Sequence, residues 1–237
     1  MPFAINNALV TGGSLENMRG NASTECPGER GYHSGMILLP DVEAGDDVAG
    51  ALHAHGACRL PGFPDAATTR ALRGDLQRLR TAGALVPAAT GRGAGRDVRT
   101  GVRGDATLWL DDPRAGPVAA TWLAALDTLR IAINRRLFLG LDEVEAHYAA
   151  YPPGAYYAKH RDRFRDDDAR VLSLVTYLNP EWTDDDGGAL RLSLDAGDVD
   201  VAPRTGSVVF LSELEHEVLP AMRERWSIAA WLRRRQG

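Results

Sequence analysis

Apolar residues never run unbroken for about eighteen positions, so no membrane-spanning helix is expected. Residues 1–10 lack the basic cluster and the apolar block of a secretory signal. Cysteine is scarce: Cys26 and Cys58 allow one disulfide and exclude a disulfide framework. A reducing cytoplasm is the compartment that fits. Surplus positive charge is missing as well. Lys and Arg number 27 against 32 Asp and Glu, a formal net charge of -5, whereas a nucleic-acid partner calls for a basic face. What remains is 44% hydrophobic and 25% charged, the balance of an ordinary globular chain. Its 237 residues suffice for one domain of generous size.

Residues 1–42 lack a sustained apolar period, and Asn, Gly and Ser recur in them (Asn6-Asn7, Gly12-Gly13-Ser14, Gly20-Asn21-Ala22-Ser23). They are expected to form a poorly packed extension, with Ile37-Leu38-Leu39 as a short edge strand at most. Residues 43–237 are expected to form the folded domain. Cys58-Arg59-Leu60-Pro61 predicts a short strand ended by proline. Pro64-Asp65 opens a helix in which Leu72, Leu76 and Leu79 share a face, and Gly83 ends it. A second helix is predicted over residues 118–137, with Trp122, Leu126, Leu129, Ile133 and Leu137 as its buried stripe. Between the helices runs a Gly/Arg-rich loop at 90–97 with no core-forming residues, which is either a functional lid or plain disorder.

After Gly140 the pattern turns to short β-rich runs at 145–151, 156–160, 171–178, 189–194, 198–201, 207–211, 216–219 and 227–232. Turn signals such as Tyr151-Pro152-Pro153-Gly154 and Asp186-Gly187-Gly188 separate them. Many short strands at close spacing predict an antiparallel sandwich or barrel. Helices first and strands later predict an α+β fold with the helices packed on the outside of one sheet.

His160 and Asp162 lie two apart, so on a strand they would point to one side. His216 would have to join them from a distant strand. Two imidazoles and a carboxylate are the protein ligands of a non-haem Fe(II) centre that keeps three coordination positions open. Taken alone, each histidine is more readily a surface residue in a charged stretch. The conjunction is much narrower, because Arg225 follows His216 on an apolar strand ending Trp231-Leu232. A buried arginine needs a carboxylate partner, and a guanidinium fork matches the distal carboxylate of a 2-oxo dicarboxylate. Ser227 would share its face, and Tyr177 and Tyr151 would add phenolic donors; taken singly, each tyrosine is at least as readily a core aromatic. His33, His53, His55 and His147 lack a carboxylate two positions on, and His53-Ala54-His55 fits a solvated surface.

Longer motifs surround these residues in a fixed order: Val102-Arg103-Gly104-Asp105 with Trp109, Ala150-Tyr151-Pro152, and Tyr157-Ala158-Lys159-His160-Arg161-Asp162. Thr176-Tyr177-Leu178-Asn179, Gly187-Gly188-Ala189-Leu190-Arg191 and His216-Glu217-Val218-Leu219-Pro220-Ala221 follow. From Val48 to Arg234 the chain resembles the 2-oxoglutarate/Fe(II)-dependent prolyl hydroxylases, in the branch that holds the animal oxygen-sensing hydroxylases and their bacterial relatives. The resemblance implies a double-stranded β-helix of the jelly-roll or cupin-like kind. It also implies hydroxylation coupled to decarboxylation of 2-oxoglutarate, with release of succinate and CO2. His160, Asp162 and His216 would hold Fe(II), Arg225 the distal carboxylate of 2-oxoglutarate, and Tyr177, Tyr151, Ser227 and Trp231 the rest of that pocket. O2 is the oxidant, and ascorbate is the matching reductant.

Residues 91–104 match the substrate-covering loop, with Arg103, Asp105 and Arg170 at its base and an ion pair expected between Asp105 and Arg170. The target implied is a prolyl residue of a peptide or protein, and the bacterial relatives point to a loop of elongation factor Tu. A free amino acid or natural-product scaffold is the alternative substrate, and a non-catalytic sensor module is the rival of another class. Neither a nucleic-acid nor a membrane partner is expected, and oligomeric state stays open. Animal members carry Thr where Ala229 stands and Ala where Ser227 stands, so the hydrogen bond has moved from one position to the other.

Overall fold

Asp65 starts the longest element of the first half by accepting the N–H of Thr68 on Oδ1 at 2.7 Å, a side-chain N-cap. These elements belong to a computed structural model that describes residues 38–89, 101–163 and 168–235. Helices α1 (Asp46–His55), α2 (Ala66–Thr81) and α3 (Pro117–Leu137) occur among strands β1 (Ala57–Leu60), β2 (Val86–Pro87) and β3 (Ala106–Trp109). Eight strands follow: β4 (Leu141–Tyr151), β5 (Tyr157–His160), β6 (Arg170–Tyr177), β7 (Leu190–Leu194), β8 (Gly197–Val201), β9 (Gly206–Leu211), β10 (His216–Val218) and β11 (Arg225–Arg234). They form a seven-stranded sheet in the order β1-β9-β6-β11-β4-β3-β2 and a four-stranded sheet in the order β5-β10-β7-β8. Neighbouring strands pair antiparallel, so the architecture is the expected α+β double-stranded β-helix.

Alternation along the central strands separates two cores. Tyr148, Ala150, Leu172, Leu174, Ile228, Ala230 and Leu232 pack with Leu72, Leu76, Leu79, Trp122, Leu126 and Ile133 of the helices. Each fully buried leucine of that layer stabilises the fold by roughly 2 kcal/mol. The opposite faces of the same strands carry Ala149, Tyr151, Tyr177, Val208 and Phe210, which meet Leu190, Leu192, Val199, Val201 and Val218 of the smaller sheet. Every second residue of β11 therefore faces the space between the sheets, beginning with Arg225 and continuing through Ser227, Ala229 and Trp231.

The short helix α1 was not foreseen. Only Val48, Ala49, Ala51 and Leu52 turn inward, which gives little apolar period to read, and Gly56 ends it in a left-handed conformation (φ 72°). His53 and His55 are exposed in its last turn, as expected. Residues 1–37 of the foreseen extension, Ile37 among them, lie outside the described residues; of the foreseen edge strand, Leu38 is exposed and Leu39 buried. The contact made there is instead a parallel bridge from Asp41 to Arg59. Cys58 is free and buried, its thiol pushed up to about 12 by burial, whereas Cys26 lies outside the described residues.

One buried carboxylate ties the helical layer together. Asp75 of α2 accepts from Arg78 (2.6 Å), from the N–H of Gly116 at the start of α3 (3.0 Å) and from the hydroxyl of Tyr148 in β4 (3.0 Å). A Cβ on Gly116 would sit 2.6 Å from its Oδ1, so the approach depends on glycine. Asp75→Ala leaves the Tyr148 hydroxyl and the Gly116 N–H unpaired in the interior. Chemical denaturation should show about 3 kcal/mol less stability, and a loss below about 0.5 kcal/mol would refute the role given to this carboxylate.

Candidate active site

In the smaller sheet His216 of β10 stands directly opposite His160, the last residue of β5. Asp162 lies two residues beyond that strand. Ligand atoms of these three side chains fall within 4.8 Å of one another. The Nδ1–H of His160 donates to the carbonyl of Ala158 (2.8 Å), and that of His216 to the carbonyl of Leu214 (2.9 Å). Because a carbonyl only accepts, both protons are fixed on Nδ1 and both Nε2 lone pairs are left for an ion. Tyr157 stacks on the His160 ring at 3.6 Å, and Phe210 meets His216 edge-on at 4.8 Å, so neither ring is free to turn. Asp162 places Oδ1 at 3.5 Å from His160 Nε2 and Oδ2 at 3.4 Å from His216 Nε2. Burial would raise its carboxyl, but the neighbouring His216, with His160, holds it well below the usual carboxylate range. A convergent, ionised set with fixed tautomers is one that could hold a divalent cation. These are the three residues that the sequence singled out as a candidate set, and the structure places them side by side.

Deeper in the same cavity lies Arg225, 1% exposed. Its Nε donates to the carbonyl of Gly188 (2.9 Å) and its Nη1 to Ser227 Oγ (3.2 Å), while Nη2 is buried without a partner. No described carboxylate lies within ion-pair distance of it. The hydroxyl of Tyr177 is likewise buried and unpartnered. Burial pushes that phenol up to about 12, so it keeps its proton and can donate. The Tyr151 and Tyr177 rings flank the guanidinium carbon at 5.1 and 5.3 Å. Two unpaired buried donors around one unpaired cation cost stability. A ligand carboxylate would satisfy all three. The glycine pair read from the sequence as a turn has a second use here. A Cβ on Gly188 (φ +69°) would meet Ala221 Cβ at 2.8 Å and Arg225 Cδ at 3.2 Å, so glycine lets the arginine lie flat over the strand.

Toward the mouth the expected ion pair between Asp105 and Arg170 is not made. Asp105 is taken bidentately by Arg103, two residues away (2.6 and 2.9 Å), and Arg170 pairs with Glu145 of β4 (2.7 Å) while lying 3.6 Å over the Trp231 ring. The nearer partner won in each case: Arg103 and Asp105 share one side of an extended segment, and Glu145 stands opposite Trp231 in the register of the large sheet. Trp231 lines the cavity as expected. So does His147, which the sequence did not single out. It is 4% exposed, with Nδ1–H on the Tyr148 carbonyl (3.0 Å) and Nε2 3.4 Å from Arg103 Nη2. Burial and Arg103 push its pKa down to about 4, so it is neutral. Its signal, a histidine on the inward face of a strand, becomes visible only once the register is known. Of the loop, residues 90–100 lie outside the described residues. Its base at 101–105 runs along β5, with Gly104 N–H on the Tyr156 carbonyl (3.0 Å) and Ala158 N–H on the Val102 carbonyl (2.8 Å).

The family model of the 2OG-Fe(II) oxygenase superfamily matches residues 146–233, the span that holds His160, Asp162, His216 and Arg225. A hypoxia-inducible factor prolyl hydroxylase of Caenorhabditis elegans is 31% identical over 142 residues, which are 55% of this chain and 20% of the worm protein. The chain thus spans about a fifth of that relative. A crystal structure of a Pseudomonas putida prolyl-4-hydroxylase is 47% identical, with a TM-score of 0.72 covering 80% of this chain and 98% of that one. A prolyl hydroxylase of Trichoplax adhaerens, solved with a peptide from the oxygen degradation domain of hypoxia inducible factor, is 27% identical. Its TM-score is 0.68, covering 78% of this chain and 87% of that one. No helix among the described residues is long and apolar enough to cross a membrane.

Proposed function

Because the chain belongs to the 2OG-Fe(II) oxygenase superfamily, we propose that it is an Fe(II)- and 2-oxoglutarate-dependent dioxygenase that hydroxylates a prolyl residue of a peptide or protein. The observation that carries this reading is the buried Arg225 with no described carboxylate within ion-pair distance, in one cavity with three converging groups that could hold a metal. His160, Asp162 and His216 are the residues that would hold iron, and their Nε2 and carboxylate donors suit Fe(II). When bound, iron and the 2-oxo acid supply the oxidising power that puts oxygen from O2 on a C–H bond, with succinate and CO2 as the other products.

The protein's own part is placement. Arg225 and the protonated Tyr177 hydroxyl bind the distal carboxylate, Ser227 steadies Arg225 Nη1, and the Tyr151 and Trp231 rings wall the pocket. Val175, Leu190 and Val218 line it with apolar surface, which excludes water and strengthens the charge pairing. The prolyl target is supported by the Pseudomonas and Trichoplax relatives. Within that class, a loop of elongation factor Tu is the substrate we would test first, with ascorbate as reductant and a cytoplasmic setting. Arg103, Asp105 and the loop between 90 and 100 would then form the substrate side.

Incubation with Fe(II), 2-oxoglutarate, ascorbate and the candidate peptide should release succinate and give a peptide heavier by one oxygen atom on proline. Release of no succinate with any prolyl substrate, in a chain that still binds 2-oxoglutarate, would favour a sensor module instead. Ser227→Ala is expected to raise the 2-oxoglutarate requirement about fivefold, from the loss of one buried hydrogen bond of about 1 kcal/mol. An unchanged KM for 2-oxoglutarate would remove Ser227 from this role.

A further inference from the structure

Asp162 is the one converging group that the sheets do not hold. His160 and His216 sit on paired strands and anchor their rings on their own upstream carbonyls. Asp162 lies past the end of β5, and its carboxylate is met by Ser173 of β6, whose Oγ is 2.7 Å from Oδ2. Ser173 Oγ is in turn 2.9 Å from Ser212 Oγ. Both serines are buried, at 1% and 0% exposure. Hydrogen-bond accounting fixes the direction of this chain. An ionised carboxylate only accepts, so the Ser173 proton goes to Asp162, and the Ser212 proton must go to Ser173. Ser212 also fixes the backbone beside the ligand. Its carbonyl accepts the N–H of Arg163 (3.0 Å), and its own N–H donates to the Val171 carbonyl (3.0 Å).

We propose that Ser173 is a positioning residue for the metal ligand Asp162, and that Ser212 orients it. The directed pair holds Oδ2 and so fixes the direction in which the carboxylate would be offered to the ion. Groups that hydrogen-bond a metal-ligating carboxylate orient it and tune its basicity, and their loss costs about 10- to 100-fold in metal affinity. The two histidines have local partners and need none of this. The carboxylate, off its strand, depends on residues far away in sequence. The inference rests on the proposed metal site.

The test uses Co(II) as the probe, added to the metal-free chain of 237 residues without 2-oxoglutarate or oxygen. Calorimetry gives affinity, and visible absorption reports coordination. The wild type should bind one Co(II). Ser173→Ala should bind it about 10- to 100-fold more weakly, with altered absorption bands, and Ser173→Thr, which keeps the hydroxyl, should stay within about threefold of the wild type. Ser212→Ala should show a smaller loss in the same direction. If the wild type binds no Co(II), the metal site itself is wrong. If the wild type binds and Ser173→Ala matches it in affinity and spectrum, this inference is overturned while the metal site stands. Ser173→Ala leaves the Ser212 hydroxyl without its acceptor. Should that variant fail to fold, the double variant Ser173→Ala/Ser212→Ala removes both hydroxyls and leaves no serine hydroxyl orphaned. The double variant must show the same weakening, and wild-type binding in it overturns the proposal equally.

Discussion

Replacing His160, Asp162 or His216 with alanine is expected to abolish Fe(II)-dependent turnover and to lower metal affinity below measurable levels. In the proposed iron site each side chain would supply one of the three donors that converge among the described residues, so no fourth described group of that cluster can take its place. The loss should be chemical and not structural. His216 and His160 line the cavity between the sheets and not the helix-facing core, so the alanine variants should fold, with unchanged far-ultraviolet circular dichroism. Removal of one imidazole also weakens the attraction that keeps the Asp162 carboxyl low. Chelator treatment of the wild type should reproduce the defect, and added Fe(II) should restore it there but in none of the three variants. Two variants retaining most of the wild-type succinate release would exclude this set as the iron site.

The second large effect is expected at Arg225. Arg225→Ala should raise the KM for 2-oxoglutarate at least about 30-fold, because a buried carboxylate loses charge-assisted hydrogen bonds that contribute about 2–5 kcal/mol. Metal affinity should stay close to that of the wild type. Arg225→Lys should recover only part of the loss, since an ammonium cannot reproduce the planar fork that reaches Gly188, Ser227 and a ligand together. A separate readout follows from the unpaired state of this cation. Without ligand, the buried guanidinium destabilises the fold, so Arg225→Met should have a Tm no lower than that of the wild type. Adding 2-oxoglutarate with a redox-inert divalent metal should raise the Tm of the wild type by mass action and leave that of Arg225→Met unmoved. An equal rise in both would show that the dicarboxylate does not meet Arg225.

The sequence by itself determined most of the elements and the residue types of the candidate site. Turn residues and β-rich runs marked the strands to within a few residues, and the Leu72, Leu76 and Leu79 stripe marked a helix, because periodicity is a local property of the chain. His160, Asp162, His216 and Arg225 were legible because their residue types and order are unusual together. What only tertiary structure decided is who pairs with whom. Asp105 chose Arg103 and Arg170 chose Glu145, since strand register and not charge alone sets which ions meet. The helix Asp46–His55 stayed hidden because its few inward residues carry too little period to stand out. Ser173, Ser212 and His147 are ordinary residues on ordinary strands until sheet pairing turns them toward the cavity. Their positions depend on contacts between residues far apart in sequence, and such contacts leave no mark on the local pattern that a single sequence displays.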